Sequence, residues 1–346
     1  SPADDRLPVP DEAAQKAAAE LVQEVFGDQI KTATGPDQKL ALTKRLIEEA
    51  RKSGDDPAAR YALYRAALVA ARDASAAMSV IEEMAKHFQI DEVKAGTFTL
   101  LRISKSVKPR SEQGILAEAC LKLVDVCLAE DRFAAATKLG ELAHSAALKS
   151  GDTDLRRSTR KTTEKISALQ KRFQDVQAAV AVLKANPVNA KANLTVGHYY
   201  CLVKGDWERG IPMLALGSDE GLKELATHEL KLPATSKEQV ALADGWYLAA
   251  EKPGEADNER LLQRAAHWYR LSLKSDPALT GLLKTKVTKR LTSVESRLGE
   301  LAPPATAKPP VKKEKLVIGL ARILQGQKGP IRSVAWSPDG KRLASG

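Results

Sequence analysis

Apolar residues recur along most of the chain at steps of three and four, the period of a helix with one buried face. After Asp11, the residues Ala14, Ala17, Ala18, Leu21, Val22 and Val25 form such a stripe. It predicts an amphipathic helix with Asp11 as its N-cap. Gly35-Pro36 breaks the chain, and Leu40, Leu42, Leu46 and Ile47 mark a second helix that Gly54-Asp55-Asp56-Pro57 ends. Asp56 as N-cap and Pro57 at the first helical position start a third, through Tyr61, Tyr64 and Leu68. Further helices are predicted over 75–88, 91–105, 113–129, 131–149 and 153–184, with Lys108 to Ser111 as a turn. Leu116, Cys120, Leu123, Val124 and Cys127 share one stripe; Ile166, Leu169, Phe173, Val176, Val180 and Leu183 share another.

No sustained period-two alternation occurs before residue 315. The fold class expected is therefore all-α, a helical array or α-solenoid, with a short incomplete β segment at the C-terminus. The first ten residues, with Pro2, Pro8 and Pro10, predict an extended lead-in, and 11–184 an N-terminal helical array. The stretch 300–315 has four prolines and repeated lysines, which predicts a semi-extended linker. Beyond it, Leu316 to Leu324 and Ile331 to Trp336 read as strands, with Ser337-Pro338-Asp339-Gly340 as a turn. The chain opens on Ser1 and stops at Gly346 inside a predicted strand, so a longer parent protein is expected.

Composition agrees. Of the 346 residues only 4% are aromatic, too few for a β-sandwich, and no apolar run is long enough for a membrane helix. Three cysteines exclude a disulfide scaffold and a cysteine-based zinc array. The net charge of +10 is concentrated in the tail, where nine bases face three acids from residue 299 onward. The basic cluster Arg156-Arg157 with Arg160-Lys161 has no aromatic neighbours, which argues against a nucleic-acid surface.

Candidate chemistry is sparse. Gly205 to Gly210 imitates a phosphate loop but is followed by Ile211-Pro212 instead of Lys-Ser/Thr. His228-Glu229 opens a zincin-like string whose second histidine position holds Leu232. His198 and Cys201, at i and i+3, supply two metal donors without a third. Cys120 and Cys127 stand two helical turns apart, about 10 Å, too far to bridge. The five histidines are scattered, and no Ser-His-Asp or paired-carboxylate set is legible. The chain thus reads as noncatalytic, with no cofactor and no metal. Asn193-Leu194-Thr195 is a glycosylation sequon inside a predicted helix.

Two stretches carry resemblances. Asn186-Pro187, Asn193, Val196-Gly197-His198-Tyr199-Tyr200 and Gly205-Asp206-Trp207-Glu208-Arg209-Gly210 together resemble a tetratricopeptide repeat. In that reading Gly197 and Gly210 let two helices cross closely, while Tyr200 and Trp207 fill the gap. One extra residue before Gly205, Asn193 in place of Trp, and Pro212 early in the second helix depart from the pattern. Leu242 to Tyr247, with Ala265, Tyr269, Ser272 and Pro277, resembles a looser second unit, so 185–299 is expected to hold degenerate helix pairs. The resemblance implies a protein-binding inner face reached by Lys191, His198 and Cys201, with Lys191 and His198 as the contacts. The basic set that clamps a peptide carboxylate in some members is not recognisable here.

Leu324 to Gly346, including Ser333-Val334-Ala335-Trp336-Ser337-Pro338-Asp339-Gly340, resembles the opening of a WD repeat, with Gln327 where that family has His. It implies that 316–346 is an incomplete first blade, which cannot bury its faces alone, and that a propeller follows. Arg6 to Glu12, Asp55 to Tyr61 and Val203 to Gly210 are similar to a helical segment of large multidomain proteins of planctomycete-type bacteria. That likeness implies an exported scaffold. The function expected is a noncatalytic protein–protein interaction scaffold with a protein or peptide partner. A structural spacer is the alternative, and a nucleic-acid binder acting through the basic tail the third reading.

Overall fold

A computed structural model describes residues 5–252, 258–275, 277–301, 334–336 and 343–345. Their contacts divide the chain into two units, Ser1–Phe173 and Gln174–Gly346. The division falls inside a helix, ahead of the residue 184 boundary expected from sequence.

The first unit holds α1 (Glu12–Thr32), α2 (Pro36–Lys52), α3 (Pro57–Ala70), α4 (Ala74–His87), α5 (Glu92–Ser104), α6 (Arg110–Ala129), α7 (Phe133–Ser150) and the start of α8 (Thr153–Ala185). Local chemistry starts most of them. The carboxylates of Asp11, Asp56, Asp73 and Asp91 each accept a hydrogen bond from the amide three residues on, at 2.8–2.9 Å. That satisfies a donor the first helical turn would leave orphaned. Asp152 does the same for α8, accepting from Asp154 and Leu155. Gly151 ends α7 in the left-handed region (φ 80°), where a side chain would be strained.

Helices of this unit contact the next helix or the next but one. α1 meets α3, α2 meets α3 and α4, α4 meets α5 and α6, and α5 meets α6 and α7. These next-but-one contacts make one row of α2, α4 and α6 and pair α1 with α3 and α5 with α7, the two pairs linked into a second row by a side-chain bond. The Arg102 guanidinium donates to the Leu68 carbonyl at 3.1 Å, tying the ends of α3 and α5 together. The core is largely alanine, leucine and valine, with Tyr64, Phe88 and the predicted Leu116–Cys127 stripe fully buried.

Two sequence expectations are corrected here, and the lead-in gains a contact. Leu21 and Val25 lie in solvent, because the face of α1 that meets α3 is Ala18, Val22 and Phe26, about 100° round the helix. Arg110 and Ser111 belong to α6, whose first turn starts directly after Pro109. The lead-in is extended but docked: the Leu7 amide donates to the His87 carbonyl (2.8 Å) and Gln89 donates back to Leu7 (2.9 Å).

The second unit holds the end of α8, then α9 (Ala190–His198), a π-helical turn (Tyr199–Val203), α10 (Trp207–Leu214), α11 (Glu220–Leu230), α12 (Ser236–Ala250), α13 (Asn258–Lys274) and α14 (Gly281–Leu301). Neighbours pack in sequence, with α12 against α13 and α13 against α14. Gly197 and Gly210 sit at a close crossing. A methyl group on Gly197 would lie 2.8–2.9 Å from Leu214, and one on Gly210 would overlap the Cys201 sulphur. Tyr200 bridges to α10 through Arg209, which donates to its hydroxyl (2.6 Å) and stacks on its ring. The Trp207 ring packs edge-on against Trp246 of α12.

Two short strands, β1 (Val334–Trp336) and β2 (Leu343–Ser345), pair antiparallel with Ala335 opposite Ala344. The predicted linker, the Leu316–Leu324 strand and the Ser337–Gly340 turn lie outside the described residues.

Candidate functional site

Lys191 and His198 lie on the short helix α9, positioned by the Asn189 N-cap, whose side chain accepts from the Ala192 amide at 2.9 Å. They stand two turns apart, about 10 Å along the axis. Lys191 is exposed and His198 half-buried. Cys201, expected on the same inner face, is instead fully buried in the π turn, where burial pushes its thiol pKa up. Burial likewise raises Cys120 to about 12 and Cys127 to about 11. All three thiols are therefore protonated packing groups near neutral pH. Asn193 is buried, with its amide donating to the carbonyls of Pro187 (2.8 Å) and Asn189 (3.0 Å). Its sequon is closed to modification in the folded chain.

The densest polar constellation surrounds Glu229 on α11. One carboxylate oxygen accepts from the indole N–H of Trp246 (2.9 Å) and of Trp268 (3.0 Å), and the other pairs with Arg264. The Arg264 guanidinium lies 5.0 Å from the centre of the Trp207 ring. A buried carboxylate is tolerated because every neighbour donates to it. With those bonds made, the His228-Glu229 string offers no open ligand at Glu229. Among the described residues no group of three or more His, Cys, Asp or Glu is arranged to hold a metal ion.

A second knot joins α12, α13 and α14. Asp244 accepts from the Tyr269 hydroxyl (2.5 Å) and from Lys286 (2.7 Å), and pairs with Arg290. Burial alone would raise its pKa, but the bonds from Lys286, Tyr269 and Arg290 outweigh that and hold it below 3.8. A lowered folded pKa means stability present above 3.8 and lost as pH falls through the folded value. Asp244→Asn is expected to cost about 1–3 kcal/mol at neutral pH. It is also expected to flatten the acid limb of stability below pH 3.8, measured by urea unfolding across pH. An acid limb unchanged in the variant would assign that limb to other carboxylates.

The surface of the first unit is more informative than its interior. Of the eight large apolar residues exposed on α1 to α7, six lie on the α1–α3–α5–α7 row. These are Leu21 (51%), Val25 (57%), Val69 (68%), Phe98 (72%), Leu101 (39%) and Leu148 (53%). The other row shows only Leu40 (39%) and Ile115 (37%). Helical periodicity does not reveal this row: it puts Leu21 and Val25 in a buried stripe and singles out none of Phe98, Val69 and Leu148. A bulky residue such as Phe98, off the Val93–Gly96–Leu100–Ile103 stripe of α5, was the available signal.

The chain is thus an all-α protein built from sequentially packed helices, and no described helix is long and apolar enough to cross a membrane. No protein family, curated protein or solved structure compared with it matches.

Proposed function

We propose that this chain is a noncatalytic protein-interaction scaffold, the helical-repeat arm of a longer protein. The observation that carries the reading is that six of the eight bulky apolar residues exposed on α1 to α7 lie on α1, α3, α5 and α7. A spacer needs only a solvated surface and gives no reason for the asymmetry. Exposed apolar surface gathered on one side, in contrast, is what a partner covers. Sequential packing in two rows supports an array whose one face is repeated along its length.

The tetratricopeptide-like reading of the second unit belongs to the same proposal. The Gly197–Gly210 crossing supports it, as does the burial of Ala265, Tyr269 and Ser272 on α13. The extra residue before Gly205 is absorbed by the π turn at Tyr199–Val203, the usual form of a one-residue insertion in a helix. The antiparallel pairing of β1 and β2 agrees with the strand–turn–strand order of an incipient WD blade. Lys191 and His198 remain proposed contacts on this unit, to be tested by their double alanine variant.

The test is capture of a partner from the source organism by the intact chain, followed by titration with the purified partner. Serine at Val69, Phe98 and Leu148 is expected to weaken binding by at least about tenfold, as removal of central apolar anchors does. Serine at Leu40 and Ile115 is expected to leave it unchanged. Equal effects of both variants would sink the row assignment, and the lack of any saturable partner would favour the spacer.

A further inference from the structure

The middle of the apolar row carries a charge pattern that specifies its partner further, an inference that rests on the interaction reading above. Residues 57–72, which span α3, contain Arg60, Arg65 and Arg72 and no acid. Residues 93–110, which contain nearly all of α5, hold Lys94, Arg102, Lys105, Lys108 and Arg110, again with no acid. On α3 the exposed residues Arg65 and Val69 stand four apart and share one helix face, and Arg72 is exposed two residues past the helix end. On α5 the exposed residues Phe98, Leu101 and Arg102 share one face, and Lys105 is exposed at the helix C-cap. The bond from Arg102 to the Leu68 carbonyl brings the ends of these two helices together. Among the described residues, Arg65, Arg72, Arg102 and Lys105 form no ion pair, although many other cations of the chain do.

We infer that α3 and α5 together form a docking surface for an acidic protein segment bearing bulky apolar side chains. Phe98, Val69 and Leu101 supply the apolar anchor, and the four cations form a rim that would pair with carboxylates. This division is the one in which desolvated centres supply affinity and rim charges supply specificity and encounter rate. Arginine, three of the four rim cations, presents a planar fork that matches a carboxylate. A nucleic-acid strand is less well served, because it stacks its bases on successive aromatic rings and this face offers only Phe98.

Selection of a random-peptide phage library on the intact chain tests the proposal, with peptides that also bind the F98S/R102E variant discarded. Because R102E also removes the Arg102–Leu68 bond between α3 and α5, circular dichroism checks that helicity and melting temperature are kept. F98S/R65E, at positions without such a bond, is run as a second variant expected to discard the same peptides. The retained peptides are expected to be enriched in Asp and Glu beside Leu, Phe or Trp. A labelled representative is expected to lose at least about tenfold in affinity with either F98S or R102E. It is also expected to bind more weakly at high salt. Retained peptides without acidic enrichment would overturn the partner chemistry while leaving the interaction reading intact. A library yielding no peptide that distinguishes the chain from the variant would overturn the α3–α5 site itself. Phosphatidylserine vesicles and a single-stranded oligonucleotide are run alongside. Binding of either that is equally sensitive to F98S and R102E, without peptide binding, would overturn the proposal in favour of that ligand.

Discussion

Replacing Glu229 with leucine is expected to destabilise the second unit by about 3–5 kcal/mol, the cost of removing one partner from a buried ion pair. The carboxylate is 5% exposed and takes three donors from two other helices. Without it, the Arg264 charge and two indole N–H groups stay in the interior with no acceptor, and each loses its desolvation cost without return. Hydrophobic gain from the leucine offsets about 1–2 kcal/mol at most. E229Q should be milder, since an amide oxygen can still serve the indoles while its N–H₂ opposes Arg264 as a second donor. E229L/R264L should recover much of the loss, because removing both charges removes the imbalance. The measurement is chemical unfolding followed by tryptophan fluorescence. Trp207, Trp246 and Trp268, three of the four tryptophans of the sequence, adjoin the site. A loss under about 1 kcal/mol in E229L would mean the pair is effectively solvated, as surface ion pairs are.

The contrast between this hub and the helix starts explains how much of the molecule was legible beforehand. Asp11, Asp56 and Asp91 could be assigned as caps or starts because each acts on an amide three residues away, within the reach of a sequence window. Gly197 and Gly210 were legible because a glycine in an otherwise good helix pattern implies a close neighbour. Glu229 was read only with its linear neighbour His228, while its partners lie 17, 35 and 39 residues ahead. A signal did exist: Leu222, Ala226 and Glu229 fall on one helical stripe, so the acid interrupts an apolar face. The surface row was illegible for a different reason. Periodicity shows that α1 has a wide apolar arc but not which part α3 will cover, and so Leu21 and Val25 were placed inside. Two-row packing, which turns Phe98 outward, is set by contacts among helices and has no local signature.

The same reasoning gives Gly210→Ala an unusual sign. In a solvated helix this change gains about 1 kcal/mol, since alanine is the better helix former. Here the new methyl would overlap the Cys201 sulphur, lie 2.8 Å from the Cys201 amide nitrogen and 3.1 Å from the Gly197 carbonyl oxygen. Two of those three obstacles are backbone, so no rotamer change removes them, and α10 must move away from the π turn. Overpacking of this kind costs about 1–3 kcal/mol and occasionally more. The balance is a net loss of about 1 kcal/mol, and about 2 at the upper end, after the propensity gain is set against the clash. Cys201→Ala in the same chain clears the sulphur alone, so it is expected to restore only part of the loss, minus the cost of its own cavity. Thermal or urea unfolding of the two single variants and the double variant decides the matter. A neutral or stabilising G210A would mean that α10 is free to shift, and that the crossing does not depend on glycine. Full rescue by C201A would instead mean that the side chain, rather than the backbone approach, sets the spacing of the two helices.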